Sequence, residues 1–156
     1  MKELTYEQAL HRAASLCSSG EHSSDEIRNK LLKWGISPSE VNRAIDYLIN
    51  EKYIDNYRFA RAYCLDKLRY NHWGRIKIQQ MLRMQGLEED AIQHGLQQID
   101  DDEYLHIMDD VIAQKSQSLS NERNEYQRKA KIVKHLMSRG FEMGIIVKRL
   151  DFSNLE

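Results

Sequence analysis

A single proline and seven glycines in 156 residues leave the chain few points at which a helix must stop. Cysteine is nearly as scarce. Cys17 and Cys64 lie far apart and outside any CxxC spacing, which excludes a disulfide framework and a thiolate zinc site and leaves both as small buried hydrophobes. No apolar run approaches the roughly 18 residues needed to span a bilayer, and Met1–Thr5 opens without the apolar stretch of a signal peptide, so a cytoplasmic protein with no membrane partner is expected. There is no surplus of positive charge either. A formal net charge of −1 argues against a generic nucleic-acid coat and moves attention from the sum to its distribution. HExxH, a glycine-rich phosphate loop, GxSxG and GxGxxG are all absent, and the six histidines show no ligand spacing. The expectation is a protein without catalytic residues, metal or cofactor. A hydrolase built on the acids Asp100 to Glu103 is the remote alternative, which a dependence of activity on metal would favour.

What the chain does have is helical periodicity. Its apolar residues recur at three and four, with no alternating strand pattern. Helix starts are written plainly: Ser37-Pro38-Ser39-Glu40 puts an N-cap serine before a first-turn proline and a capping-box glutamate, and Ser23-Ser24-Asp25-Glu26 offers a second box. Asp55 reads as a further N-cap. Sliding the chain on itself superposes residues 27–45 on 78–96 and on 132–150 without gaps. The columns are Ile27, Ile78, Ile132; Leu31, Leu82, Leu136; Gly35, Gly86, Gly140; Ile36, Leu87, Phe141; Val41, Ile92, Ile146; and Ile45, Leu96, Leu150. A helix ending in a left-handed glycine cap, followed by an apolar residue and a second short helix, accounts for every column. The offsets leave room for one more helix per unit, at roughly 5–17, 56–71 and 103–117. The fold expected is all-α: three tandem three-helix modules, helix-turn-helix-like, over 1–54, 55–101 and 102–156, in an elongated curved array.

Charge is segregated along this repeat. Between Arg58 and Arg83 the chain carries Arg58, Arg61, Lys67, Arg69, Arg75, Lys77 and Arg83 against Asp66 alone, and between Arg128 and Arg149 it carries Arg128, Lys129, Lys131, Lys134, Arg139, Lys148 and Arg149 against Glu142. The stretch Glu88–Asp110 between them holds nine acids and no lysine or arginine. At 100° per residue Arg58, Arg61 and Arg69 share one helix face, Lys67 points elsewhere, and Arg128, Lys131, Lys134 and His135 share another face. Such charges either solvate outer helix faces or line a surface that recognises phosphate or acidic protein, and segregation into blocks favours recognition. Trp34 and Trp73, each just before a glycine, read either as packing against a neighbouring module or as stacking platforms. Tyr47, Tyr53, Tyr57, Phe59 and Tyr63 read as core between the first two modules, with their hydroxyls at its wet edge.

Asp55-Asn56-Tyr57-Arg58-Phe59-Ala60, Gly74-Arg75-Ile76-Lys77-Ile78 and Leu82-Arg83-Met84-Gln85-Gly86-Leu87 together resemble the central signature of the RecX family, bacterial regulators of RecA recombinase. Leu136-Met137-Ser138-Arg139-Gly140-Phe141 resembles that family's closing motif, and Ala9-Leu10 with Glu26–Leu31 its opening one. The chain departs from the pattern at Trp34 and Gln85, where a basic residue usually precedes the turn glycine, and at Asn56, where an acid is usual. The resemblance implies a monomer that binds the groove of the RecA filament on single-stranded DNA, with weaker binding to free DNA, and that inhibits ATPase, strand exchange and coprotease activities. Arg58, Arg61, Arg69, Arg75, Lys77, Arg83, Arg128, Lys131, Lys134 and Arg139 are the candidate contacts. A sequence-tolerant DNA-binding protein acting without a recombinase is the alternative, because each glycine-turned helix pair resembles a helix-turn-helix.

Overall fold

The computed structural model describes residues 4–151. Among them lie nine α-helices and no strand: α1 Tyr6–Ser19, α2 Ser24–Lys33, α3 Pro38–Asn50, α4 Asn56–Asn71, α5 Arg75–Met84, α6 Glu89–Gln97, α7 Asp101–Ser118, α8 Glu125–Ser138 and α9 Met143–Leu150. The starts follow from side-chain caps that satisfy first-turn N–H groups. Thr5 and Gln8 form a capping box on α1, Ser23 accepts from Glu26 N at 3.2 Å, and Ser37 caps α3 with Pro38 in the first turn. Asp55 Oδ1 accepts from the amides of Tyr57 and Arg58, and Asp100 and Asn124 cap α7 and α8.

The three repeated glycines sit in equivalent turns with left-handed backbone: φ is 90° at Gly35, 79° at Gly86 and 91° at Gly140. In every copy two backbone bonds recur. The glycine N–H donates to the carbonyl three residues back, at 3.0 Å to Leu32, Arg83 and Met137, and the next N–H reaches five back, from Ile36 to Leu31, Leu87 to Leu82 and Phe141 to Leu136. This is the Schellman closure, and its apolar clasp is complete, because Leu31, Leu82, Leu136 and the residues after the glycines are all buried. Ile27, Ile78, Ile132, Val41, Ile92 and Ile146 are buried with them. The last column departs from expectation: Ile45 is buried, but Leu96 and Leu150 are only half-buried, each lying at the end of a short second helix where the apolar stripe runs out.

Two compact units are formed: residues up to Ala62 with Leu82–Gly95, and Tyr63–Met81 with the residues from Leu96 onward. The first is built around Ala9, Ala13, Ile27, Leu31, Ile36, Val41, Ala44, Ile45, Leu48 and Ile54. Trp34 packs against this core with the Arg12 guanidinium 4.8 Å above its ring, so it is a packing residue of its own unit. Ser24 and Asn56 exchange two hydrogen bonds, of 3.0 and 3.1 Å, joining the start of α2 to that of α4. Gly95 lets α6 approach α4 so closely that a Cβ there would lie 2.8 Å from the Ala60 backbone. The tyrosines expected in the core are not there. Phe59 is buried and Tyr63 half-buried, but Tyr47, Tyr53 and Tyr57 are exposed: Tyr47 on α3 and Tyr57 on α4 lie off the stripe that holds Ala44, Leu48 and Ala60, and Tyr53 sits in the bend between the two helices.

In the second unit Tyr104 and Phe141 pack ring to ring at 5.4 Å, and Leu68, Met108, Leu136 and Ile146 are buried in the same unit. The turn at Gly140 abuts the start of α5. Gly74 N donates to Arg139 O at 2.7 Å and Ile76 N to Gly140 O at 3.0 Å, while a Cβ on Gly74 would collide with the Gly140 backbone. Cys64 is buried here, its thiol pushed up to about 12 by desolvation, and Cys17 in the first unit is half-buried.

Candidate nucleic-acid interface

Most of the candidate arginines are engaged inside the protein. In the first unit, Arg58 pairs with Glu21 and reaches the carbonyls of Lys52 and Tyr53 at 3.2 and 3.3 Å, and Arg83 pairs with Glu89 in a two-bond fork at 2.9 and 3.1 Å. In the second, Arg69 forks onto Glu103 at 2.6 and 3.2 Å. That contact holds the Glu103 carboxyl below the usual carboxylate range. Each bidentate pair fixes a guanidinium and locally cancels its field.

Arg75 is the most deeply committed. One of the ten candidate contacts, it is half-buried, with its guanidinium 3.9 Å above the Tyr104 ring, 2.7 Å from Asp101 and 3.1 Å from Glu142. Its backbone N–H donates to the Tyr104 hydroxyl at 3.1 Å, and that hydroxyl donates to Glu142. Burial, reinforced by the bond to Glu142, raises the Tyr104 pKa well above that of a free phenol. The first turn of α5 therefore has its amides satisfied by Arg139 O, Tyr104 and Gly140 O, and Arg75 completes this joint.

The remaining cations of the second unit behave differently. Lys115 of α7 and Lys131, Lys134, His135 and Ser138 of α8 line a shallow pocket of about 270 Å³, with no carboxylate among its lining residues. Lys131 bonds Glu122 at 2.8 Å. Lys115 and Lys134 have no carboxylate partner among the described residues. Arg139 borders the group: its Nε points at His135 Nε2 at 3.4 Å and its Nη1 donates to Asn71 O at 2.8 Å. A guanidinium is a donor only, so His135 Nε2 faces it as an acceptor, a contact that favours the neutral imidazole. Burial, then the charges of Arg139 and Lys115, push the His135 pKa below its ordinary 6.5.

Arg128 is half-buried, with Nη2 donating to Glu122 O at 2.7 Å and a buried Nε that has no partner among the described residues. Arg61 is exposed on α4 with no ion pair among those residues, and Lys77 lies 4.5 Å over the Trp73 ring. The structure thus gathers Lys131, Lys134 and Arg139 with two residues outside the original ten, Lys115 and His135. Lys115 lies outside both basic blocks of the sequence, alone after the acidic stretch and on the other helix of the α7–α8 pair. Among the described residues no three His, Cys, Asp or Glu side chains are grouped to hold a metal, and no helix is long and apolar enough to cross a membrane.

The model of the RecX first three-helix domain matches residues 9–48, and that of the RecX second three-helix domain matches residues 55–96. Regulatory protein RecX of Pelodictyon phaeoclathratiforme is 31% identical over 134 residues, covering 86% of this chain and 81% of the relative. The chain belongs to the RecX family. The RecX of Lactobacillus johnsonii is 32% identical over 152 residues, covering 95% of this chain and 55% of its own length. The chain thus spans about half of that relative, as it does of the RecX of Clostridium tetani, at 53%. The crystal structure of RecX from Lactobacillus salivarius superposes with a TM-score of 0.85 over 97% of both chains at 18% identity, which shows a shared fold. The two RecX domain matches fall on α1–α3 and α4–α6.

Proposed function

We propose that this RecX chain regulates a RecA-type recombinase by binding its filament on single-stranded DNA, acting as a steric and electrostatic inhibitor without turnover, inside the cytoplasm. The modules at 1–54, 55–101 and 102–156 would serve as its repeating contact units. Family membership supports the regulatory role. The observation that carries the nucleic-acid contact is the α7–α8 face, where Lys115, Lys131, Lys134, His135 and Arg139 meet around a pocket that no carboxylate lines. Lysines left without internal partners lose little when they bind phosphate, whereas Arg69 and Arg75 would first have to leave Glu103 and Asp101. Phosphate contacts made here would release counterions and give salt-sensitive binding.

The deciding experiment adds the purified protein to preformed RecA filaments on single-stranded DNA and follows ATP hydrolysis. Hydrolysis should fall as protein is added, and Lys115→Gln with Lys134→Gln should blunt the effect at unchanged helicity. Unaltered hydrolysis with no association between protein and filament would overturn the proposal. Tight duplex binding with no effect on the filament would favour a DNA-binding protein that needs no recombinase.

A further inference from the structure

Trp73 lies outside the lysine pocket, in the same unit, between α4 and α5. Its backbone N–H donates to Lys67 O at 3.1 Å, which ties the residue to the last turns of α4. The residue before it, His72, has φ at 55°, a left-handed conformation that costs a non-glycine residue energy and recurs at binding sites. Two ammonium groups converge on the indole from different helices: Lys67 Nζ at 5.0 Å and Lys77 Nζ at 4.5 Å from the ring centre. Lys67 also lies 5.3 Å over Tyr63. Neither lysine has a carboxylate partner among the described residues, although α7 supplies carboxylates to Arg69 and Arg75 of the same two helices. Two like charges held at one aromatic surface and left without a counterion make a locus that attracts anions.

We propose that Trp73, Lys67 and Lys77 form a platform for one nucleotide of single-stranded DNA, with an unpaired base stacked on the indole and the flanking phosphates bound by the two lysines. This rests on the reading of the second unit as a DNA-binding surface and adds base contact to backbone contact. The platform adjoins the lysine pocket through Arg139, whose carbonyl accepts from Gly74 N while its Nε faces His135. Lys67, Lys77 and Trp73 are all half-buried, and an ammonium on an indole at such a partly wetted site is a weak contact. A base on the same ring, with both ammonium groups moved onto phosphates, gains stacking and two ionic hydrogen bonds. A duplex offers no such base face, so the platform selects unpaired strands, and it tolerates any sequence because every base has a π face.

The chain has two tryptophans, so Trp34→Phe leaves Trp73 as the sole indole reporter in the full-length protein. Oligothymidylate should quench its emission and bind about tenfold more tightly than an abasic deoxyribose-phosphate strand of equal length, which offers phosphates and no bases. Replacing both lysines by glutamine should lower the salt dependence of oligothymidylate binding by about 1.4 units of log affinity per log salt. Anisotropy of labelled oligothymidylate should give the order wild type, Trp73→Phe, Trp73→Ala, with circular dichroism reporting whether each variant is folded. Equal affinity for the two strands, with Trp73 emission unchanged, overturns the platform while leaving backbone binding by the lysine pocket in place. Failure of both strands to bind the folded protein overturns the platform together with the DNA-binding reading of this unit.

Discussion

Gly140 answers two demands at one atom. Its φ of 91° is strained for any residue with a Cβ, and a Cβ would also strike the backbone and Cβ of Lys77 in α5. Gly86 shares the strain, but its added Cβ would meet the Asp25 carboxylate, the movable end of a flexible side chain. Gly86→Ala should therefore cost about 1–3 kcal/mol in urea-induced unfolding, the ordinary range for such strain, and Gly140→Ala should cost clearly more. Equal losses would mean that α5 yields freely to the turn. His135 sets a second residue-scale outcome. Arg139, Lys115, Lys131 and Lys134 are the cations around it, while Glu122 is held below the usual carboxylate range by Lys131. Because the folded-state pKa of His135 is depressed below 6.5, the unfolded chain binds more protons there. Its contribution to stability is present above pH 6.5 and is lost as pH falls toward the depressed value. A bound phosphodiester opposes the cations that depress it, so DNA binding should take up a proton and tighten as pH falls through this window. His135→Gln should flatten that dependence, and a pH-independent wild-type affinity would remove His135 from the interface.

At the scale of helices, Leu82→Ala should destabilise by about 2–5 kcal/mol, since Leu82 is fully buried and closes the Schellman turn of α5. A second outcome concerns the acids beside the basic block. Releasing Arg69 by Glu103→Gln should strengthen binding to single-stranded DNA in low salt, because a guanidinium freed from its two-bond fork regains its field. Weakened binding would show that Glu103 contacts the partner itself. The two outcomes mark what sequence could and could not disclose. Helix ends, glycine turns and the buried columns were legible, because caps, left-handed glycines and apolar periodicity are local and act within a few residues of their cause. The candidate site was legible only as charge. Which cations are free depends on partners 34 residues away, as for Arg69 and Glu103, or 67 away, as for Arg75 and Glu142, and no local pattern records such pairings. The packing role of Gly74 was hidden for the same reason, since the backbone it touches belongs to the turn at Gly140. The exposed Tyr47 and Tyr57 show that aromatic residues at helical spacing resemble a core stripe even when turned away from it, and Tyr53 falls in the bend between their helices.

At the scale of the whole molecule, the lysines that line the α7–α8 pocket belong to one unit, which makes salt dependence a direct test. Replacing Lys115, Lys131 and Lys134 together by glutamine should flatten the log affinity versus log salt slope for single strands by about two units, with thermal stability held. An unchanged slope would transfer the phosphate contacts to other cations such as the exposed Arg61. The composition of this unit also bears on the order in which a ribosome delivers it. Cys64, Leu68 and Ile78 are made early, but the rest of their unit, with the buried Tyr104, Leu136 and Ile146, comes after Leu96. At ordinary elongation rates the ~65 residues between Met81 and Ile146 take roughly 3–13 s to synthesise. For that interval the early segment of the unit lies on the nascent chain with its apolar stripe uncovered, within reach of chaperones that bind nascent chains and of any protease working faster than translation.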